Sequence, residues 1–139
     1  MFVQLGPAKA SRMTRALALI SALLLAAPAT AQERQRDMSL EQRMQLRCSA
    51  AFAIVANEQQ RGIASARAYP PLGERGKEYF VRAGARLIDE LGLSREQLQA
   101  LLKTEVEALQ ARAMEAGDPA AFVDSVMQPC LTALEASGL

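Results

Sequence analysis

The sequence predicts an all-α fold: a four-helix bundle-like domain stapled by one disulfide, behind an N-terminal signal peptide. Three observations carry that reading. After residue 38, apolar residues recur at spacings of three and four, as on a helix with one buried face. No segment alternates apolar and polar residues with period two, so essentially no sheet is expected. The two cysteines, Cys48 and Cys130, fall on the apolar stripes of the first and last of these helices.

The N-terminus has the three parts of a secretory signal. Lys9, Arg12 and Arg15 form a basic region, residues 16–27 an uncharged apolar run, and Pro28 breaks that run. Ala29-Thr30-Ala31 then supplies a small-x-small cleavage pattern, so residues 1–31 read as the signal peptide, with cleavage after Ala31. The apolar run is too short to span a bilayer, which takes about 20 residues. Met13 is an alternative start, since the basic region survives that shortening. Removing 31 of 139 residues leaves 108, residues 32–139, enough for one domain with a modest core. The three basic residues lost leave 13 of 16 against 15 acidic, a net charge of −2. That balance excludes the basic surplus of a nucleic-acid footprint and gives no indication of peripheral membrane contact. The Arg- and Ala-rich composition is associated with GC-rich bacterial genomes, so the expected location is the periplasm or outside the cell.

Residues 32–38 are polar and aperiodic, and a frayed leader is expected there. The first helix opens at Ser39, where Ser39-Leu40-Glu41-Gln42 has the form of a capping box. Its stripe is Leu40, Met44, Cys48, Phe52 and Val55, widened by Ala51 and Ile54, and it runs to about Gln60 with Gly62 as its stop. Residues 63–68 are left open. Tyr69-Pro70-Pro71-Leu72-Gly73 breaks the chain, because each proline removes a donor and restricts the residue before it.

The second helix spans about 74–91, with Phe80, Ala83, Leu87, Ile88 and Leu91 as its buried face. Ala83-Gly84-Ala85 is a patch where another helix can approach closely, and Gly92 is the left-handed stop. Ser94-Arg95-Glu96-Gln97 is another capping box, with Leu93 positioned to staple against Leu98. The third helix buries Leu98, Leu101, Leu102, Val106, Leu109 and Ala113; Glu105 and Glu107 lie off that stripe and read as solvated, as do Asp89 and Glu90. Gly117 ends it. Asp118 and Pro119 open the fourth helix as N-cap and first residue. Its apolar face is Phe122, Val123, Val126, Met127, Cys130, Leu131 and Leu134, and Pro129 within it predicts a kink or restart.

In an exported chain, two cysteines read as one disulfide, Cys48–Cys130. There is no Cys-x-x-Cys, and both thiols lie on buried stripes, so a redox-active pair is not expected. The chain has no histidine. It therefore lacks the commonest general base, the usual metal ligand and the side chain that titrates near neutrality. No phosphate-binding loop, dinucleotide turn or EF-hand loop is present. Met38, Met44, Met114 and Met127 do not cluster and read as packing, not as a copper site. These observations predict a protein that is not an enzyme and takes no metal and no cofactor.

Leu93-Ser94-Arg95-Glu96-Gln97 resembles the LTxxQ motif of the small periplasmic helical stress proteins of the CpxP and Spy type, with Ser for Thr. Met38-Ser39-Leu40-Glu41-Gln42 is a looser second copy, with Met for Leu. The resemblance implies an extracytoplasmic chaperone or stress sensor that holds unfolded clients. The cysteine pair is not part of that pattern. In export signal, size, helices and distant cysteine pair the chain is also similar in architecture to the HdeA-type acid chaperones, without a shared motif. The function expected is binding of a protein partner, as chaperone, stress-sensor accessory or inhibitor. The alternatives are carriage of a small apolar ligand or lipid, and a structural role in a complex. The first expectation requires an exposed apolar patch, the second an apolar cavity.

Overall fold

A computed structural model describes residues 30–139 as five α-helices, with no strand among the described residues. They are α1 (Ala31–Asp37), α2 (Leu40–Gln60), α3 (Gly73–Leu91), α4 (Arg95–Glu115) and α5 (Pro119–Ala136), with a 3₁₀ turn over Ser65–Ala68 between α2 and α3. The expected signal peptide lies outside the described residues except for Thr30 and Ala31. None of the described helices is long and apolar enough to cross a membrane.

Local chemistry sets the helix starts. Ser39 and Ser94 each form the complete box: the hydroxyl accepts from the N–H of Gln42 or Gln97, and that glutamine's side chain accepts from the serine N–H. Asp118 accepts from Ala121 N–H, with Pro119 in the first turn. Gly92, at φ 60°, ends α3 in the left-handed conformation, where a Cβ is costly.

Two expectations about the chain ends are corrected. Residues 32–38 are not a frayed leader, since α1 covers residues 32–37 and Met38, its C-cap, is buried. Thr30 and Glu33 form a third capping box, and α1 packs against α4. Cleavage after Ala31 would therefore remove the cap and the first residue of α1. In α5, of the kink or restart expected at Pro129, the restart does not occur: the helix runs on through Pro129, which lies on the exposed face. There the Ser125 carbonyl that loses its donor can be hydrated.

Packing divides into two clusters. The larger gathers Phe52, Val55, Leu72, Tyr79, Leu109, Met127 and Leu134 around Cys48 and Cys130. The smaller gathers Met38, Leu46, Leu87, Leu93, Leu98 and Leu101, so both residues that precede a serine cap are buried. Phe52 and Tyr79 meet edge to face with centroids 5.2 Å apart. The small-residue patch on α3 works as expected at Gly84, where a Cβ would come within 3.0 Å of Leu98 Cδ2. Gly76, not foreseen, lets the α3 backbone reach Phe52, whose Cβ would lie 3.0 Å from an added Cβ.

The proline loop is held by one side chain. The Gln59 amide donates to the carbonyls of Ala66, Tyr69 and Pro70 at 3.0, 3.2 and 2.9 Å, and its oxygen accepts from Leu72 N–H at 3.0 Å. One side chain thus pairs with Leu72 N–H and shares its two amide hydrogens among the Tyr69 and Pro70 carbonyls and that of Ala66, which also accepts from Tyr69 N–H. Glu105 is also corrected: it is buried, not solvated. It accepts from Gln35 Nε2 at 2.6 Å and from Arg47 Nε at 3.1 Å, which ties α1, α2 and α4 together. The unforeseen helix over Ala31–Asp37 brings Gln35 onto this part of α4.

Candidate functional site: two grooves beside the disulfide

The cysteines form the expected bond. Cys48 and Cys130 are joined at 2.05 Å, with Cα atoms 5.1 Å apart, and both are fully buried. The bond pins α5 across α2, with the two helices running in opposite senses. Only Met127, Cys130 and Leu134 of α5 are buried, at helical spacing on one face. Everything else on α5 is at least partly exposed, and a groove lies beneath the helix on each side of the pin.

The groove before the pin lies between the C-terminal halves of α2 and α4 and the N-terminal half of α5. It holds about 360 Å³ and is lined by Ile54, Val55, Leu109, Phe122, Val123, Val126 and Met127, among others. Phe122, Val123 and Val126 were expected on the buried face of the last helix, but they are only half-buried and form the groove wall. Glu58 is the one charged residue in the lining, and Met114 at its edge is 81% exposed. The four methionines do not converge: Met38 and Met127 are buried in different clusters, while Met44 and Met114 are exposed.

The groove after the pin is wider, about 790 Å³, and lies between the start of α2, the middle of α3 and the end of α5. Its lining includes Leu40, Glu41, Met44, Gln45, Tyr79, Arg82 and Arg86. Leu40 and Met44, expected to be buried, are 76% and 37% exposed, because the buried face of α2 begins only at Gln45 and Leu46. The Gln45 side chain donates to Glu41 Oε1 at 3.3 Å, and Arg86 lies 3.5 Å from the same oxygen. Gln45 Oε1 is buried and has no hydrogen-bond partner among the described residues. Burial pushes the Tyr79 hydroxyl above the ordinary tyrosine range; Arg86 pulls it back and Glu41 adds to the rise, so the hydroxyl feels both charges.

The Ser39 and Ser94 motifs lie in neither groove. In each, the serine and glutamine are used in capping, and Gln42 also donates to Glu90 at 2.9 Å. Asp89, Glu90 and Glu107 are exposed, as expected. Sequence reasoning missed both grooves. Their only trace was surplus apolar residues, Leu40 and Met44 on α2 and Phe122 and Val123 on α5, at the outer ends of stripes.

No protein-family model matches the chain, and comparison with curated proteins and with solved structures finds no significant similarity to either. Fold and site define the class on their own: an all-helical domain pinned by one disulfide, with an apolar groove and a mixed apolar and charged groove beside the pin.

Proposed function

We propose that the protein is an exported, non-enzymatic helical domain that binds an apolar segment of a protein partner, as chaperone, stress-sensor accessory or inhibitor. One observation carries this: the groove walled by Phe122, Val123 and Val126 leaves large apolar side chains half-wetted beside the fully buried Val55 and Met127. A leucine- or phenylalanine-sized anchor entering such a groove gains roughly 1.5–3 kcal/mol from burial. An amphipathic helix with anchors at i, i+4 and i+7 suits a groove between helices. Glu58 on the wall favours a partner with Lys or Arg beside those anchors. Export follows from the signal pattern of residues 1–31, and a disulfide accords with an oxidising compartment.

The test uses a synthetic amphipathic helical peptide with leucines at those positions and flanking lysines, and a scrambled peptide of equal composition. Saturable binding of the first alone, lost in Val126→Glu, supports the reading. Equal binding of both peptides, or binding indifferent to Val126→Glu, refutes it. The volume of the same groove also lies in the range of small-molecule sites. Extra mass in the native protein that disappears on denaturation would favour an apolar ligand or lipid as its cargo.

A further inference from the structure

We propose that Met114 is an oxidisable control point of the groove before the pin. An oxidant of the peroxide class converts its thioether to the sulfoxide, and the groove then holds an apolar partner segment more weakly. The second half rests on the reading of that groove given above; the site of oxidation does not. Composition narrows the targets first. The chain has no Trp and no His, and both its cysteines are taken up in the disulfide, so no free thiol competes for the oxidant. That leaves the methionine thioethers as its soft, readily oxidised groups.

Burial then separates the methionines of residues 32–139. Met127 is 1% exposed, Met38 3%, Met44 37% and Met114 81%. α4 ends at Glu115, so Met114 stands in its last turn, at the edge of the groove. Met127 lines the same groove from within the larger core cluster, so one groove holds a reachable sulfur and a shielded one. The step balances without help from other side chains. A sulfur lone pair attacks one peroxide oxygen, and an S–O bond forms as the O–O bond breaks. The second oxygen leaves as hydroxide and takes the proton of the first to become water. The sulfur is oxidised by two electrons and the peroxide is reduced by two.

The product changes the rim of the groove. A flexible thioether can fold over an apolar side chain lying in the groove, whereas a sulfoxide oxygen is a polar acceptor that needs a donor. Glu58 and Gln110 are the only polar side chains of the lining, and a carboxylate only accepts. Gln110, one turn before Met114 on α4, is the one lining side chain that can donate. An apolar segment seated over the oxidised rim therefore strips water from an acceptor and puts little in its place. Core packing is untouched, because so exposed a side chain contributes little to it.

The experiment exposes the folded, disulfide-bonded protein to limiting hydrogen peroxide. Peptide mapping by mass spectrometry reads the sulfoxide at each methionine against time. Titration with the amphipathic peptide of leucines and lysines then reads the groove, and circular dichroism reads the thermal midpoint. Met114 is expected to oxidise first, at least about tenfold faster than Met38 and Met127, with Met44 between them. Protein oxidised at Met114 alone is expected to bind the peptide about fivefold more weakly, a change of about 1 kcal/mol, with its thermal midpoint unmoved. In Met114→Leu, whatever its starting affinity, the same treatment is expected to leave that affinity where it was. Met127 or Met38 oxidising as fast as Met114 overturns the site. Binding that is present but indifferent to Met114 oxidation, or weakened equally in treated Met114→Leu, overturns the control. Untreated protein that binds no peptide sinks the reading of the groove and the control with it, while the mapping still decides the site of oxidation.

Discussion

Replacing Cys48 and Cys130 together by alanine removes the one covalent link between the first and last long helices, α2 and α5. The bond closes a loop of 82 residues. In the chain-entropy treatment a loop of that length constrains the unfolded chain by about 4.5 kcal/mol. A domain of this size has a net stability of about 5–15 kcal/mol, so the substitution removes a large share of it. The effect should also be uneven. With the pin gone, α5 is held by Met127 and Leu134 and by half-buried neighbours, whereas α2 keeps Leu46, Phe52 and Val55 packed against α3 and α4. Urea unfolding followed by circular dichroism measures the loss. With a slope near 1.5 kcal/mol per molar, the midpoint should fall by about 3 M. Amide exchange then locates it, with α5 amides losing protection before those of α2 and α3. A midpoint shift under about 0.5 M would refute the reasoning, and uniform loss of protection would refute the claim that α5 depends on the pin.

Three further outcomes test the rest of the architecture. Gln59→Ala should cost about 2–3 kcal/mol, because it leaves Leu72 N–H and the carbonyls of Tyr69 and Pro70 without their partner; fast exchange of the Leu72 amide would confirm the cause. Gly76→Ala should destabilise by about 1–2 kcal/mol despite the better helix propensity of alanine, since the new methyl meets Phe52 Cβ at 3.0 Å; a gain in the thermal midpoint would show that α2 and α3 can separate freely. Glu33 should titrate below the ordinary glutamate range in the full chain, chiefly because its carboxylate accepts the Thr30 N–H. A lowered folded-state value means that the charged carboxylate supports the cap above the ordinary glutamate value, and that this support is lost as pH falls through the lowered one. In a chain beginning at Gln32 the cap is gone, and carboxyl-carbon resonance should return Glu33 to the ordinary range; the same low titration in both chains would show that Thr30 is not its cause.

How much of this was legible follows from the range of each interaction. The caps at Ser39, Ser94 and Asp118 were readable because donor and acceptor lie within three residues of each other. The Thr30–Glu33 box has the same form, yet those residues also fit a cleavage site, and the sequence offers no way to rank a helix start against a protease site at one place. Gln59 and Glu105 were not readable, because their partners are set by where the chain returns: Gln59 bonds residues up to Leu72, and Glu105 reaches Gln35, 70 residues away. Neither side chain has a local pattern that marks it.

The grooves show a sharper limit. Periodicity says which face of a helix is apolar, but not how much of that face a neighbour covers. Leu40 and Met44 continue the stripe of Cys48, Phe52 and Val55, and Phe122 and Val123 continue that of Met127, Cys130 and Leu134. The difference between them comes from the disulfide. By pairing Cys48 with Cys130 it fixes where α5 crosses α2, and the side chains nearest the crossing are buried while those at the outer ends of both stripes are left to line the grooves. Moving the crossing one turn along α2, by exchanging Cys48 with Phe52, would therefore be expected to narrow one groove and widen the other. Peptide binding at the Val126 wall should then change with the volume of that groove, and unchanged binding would separate the groove from the position of the pin.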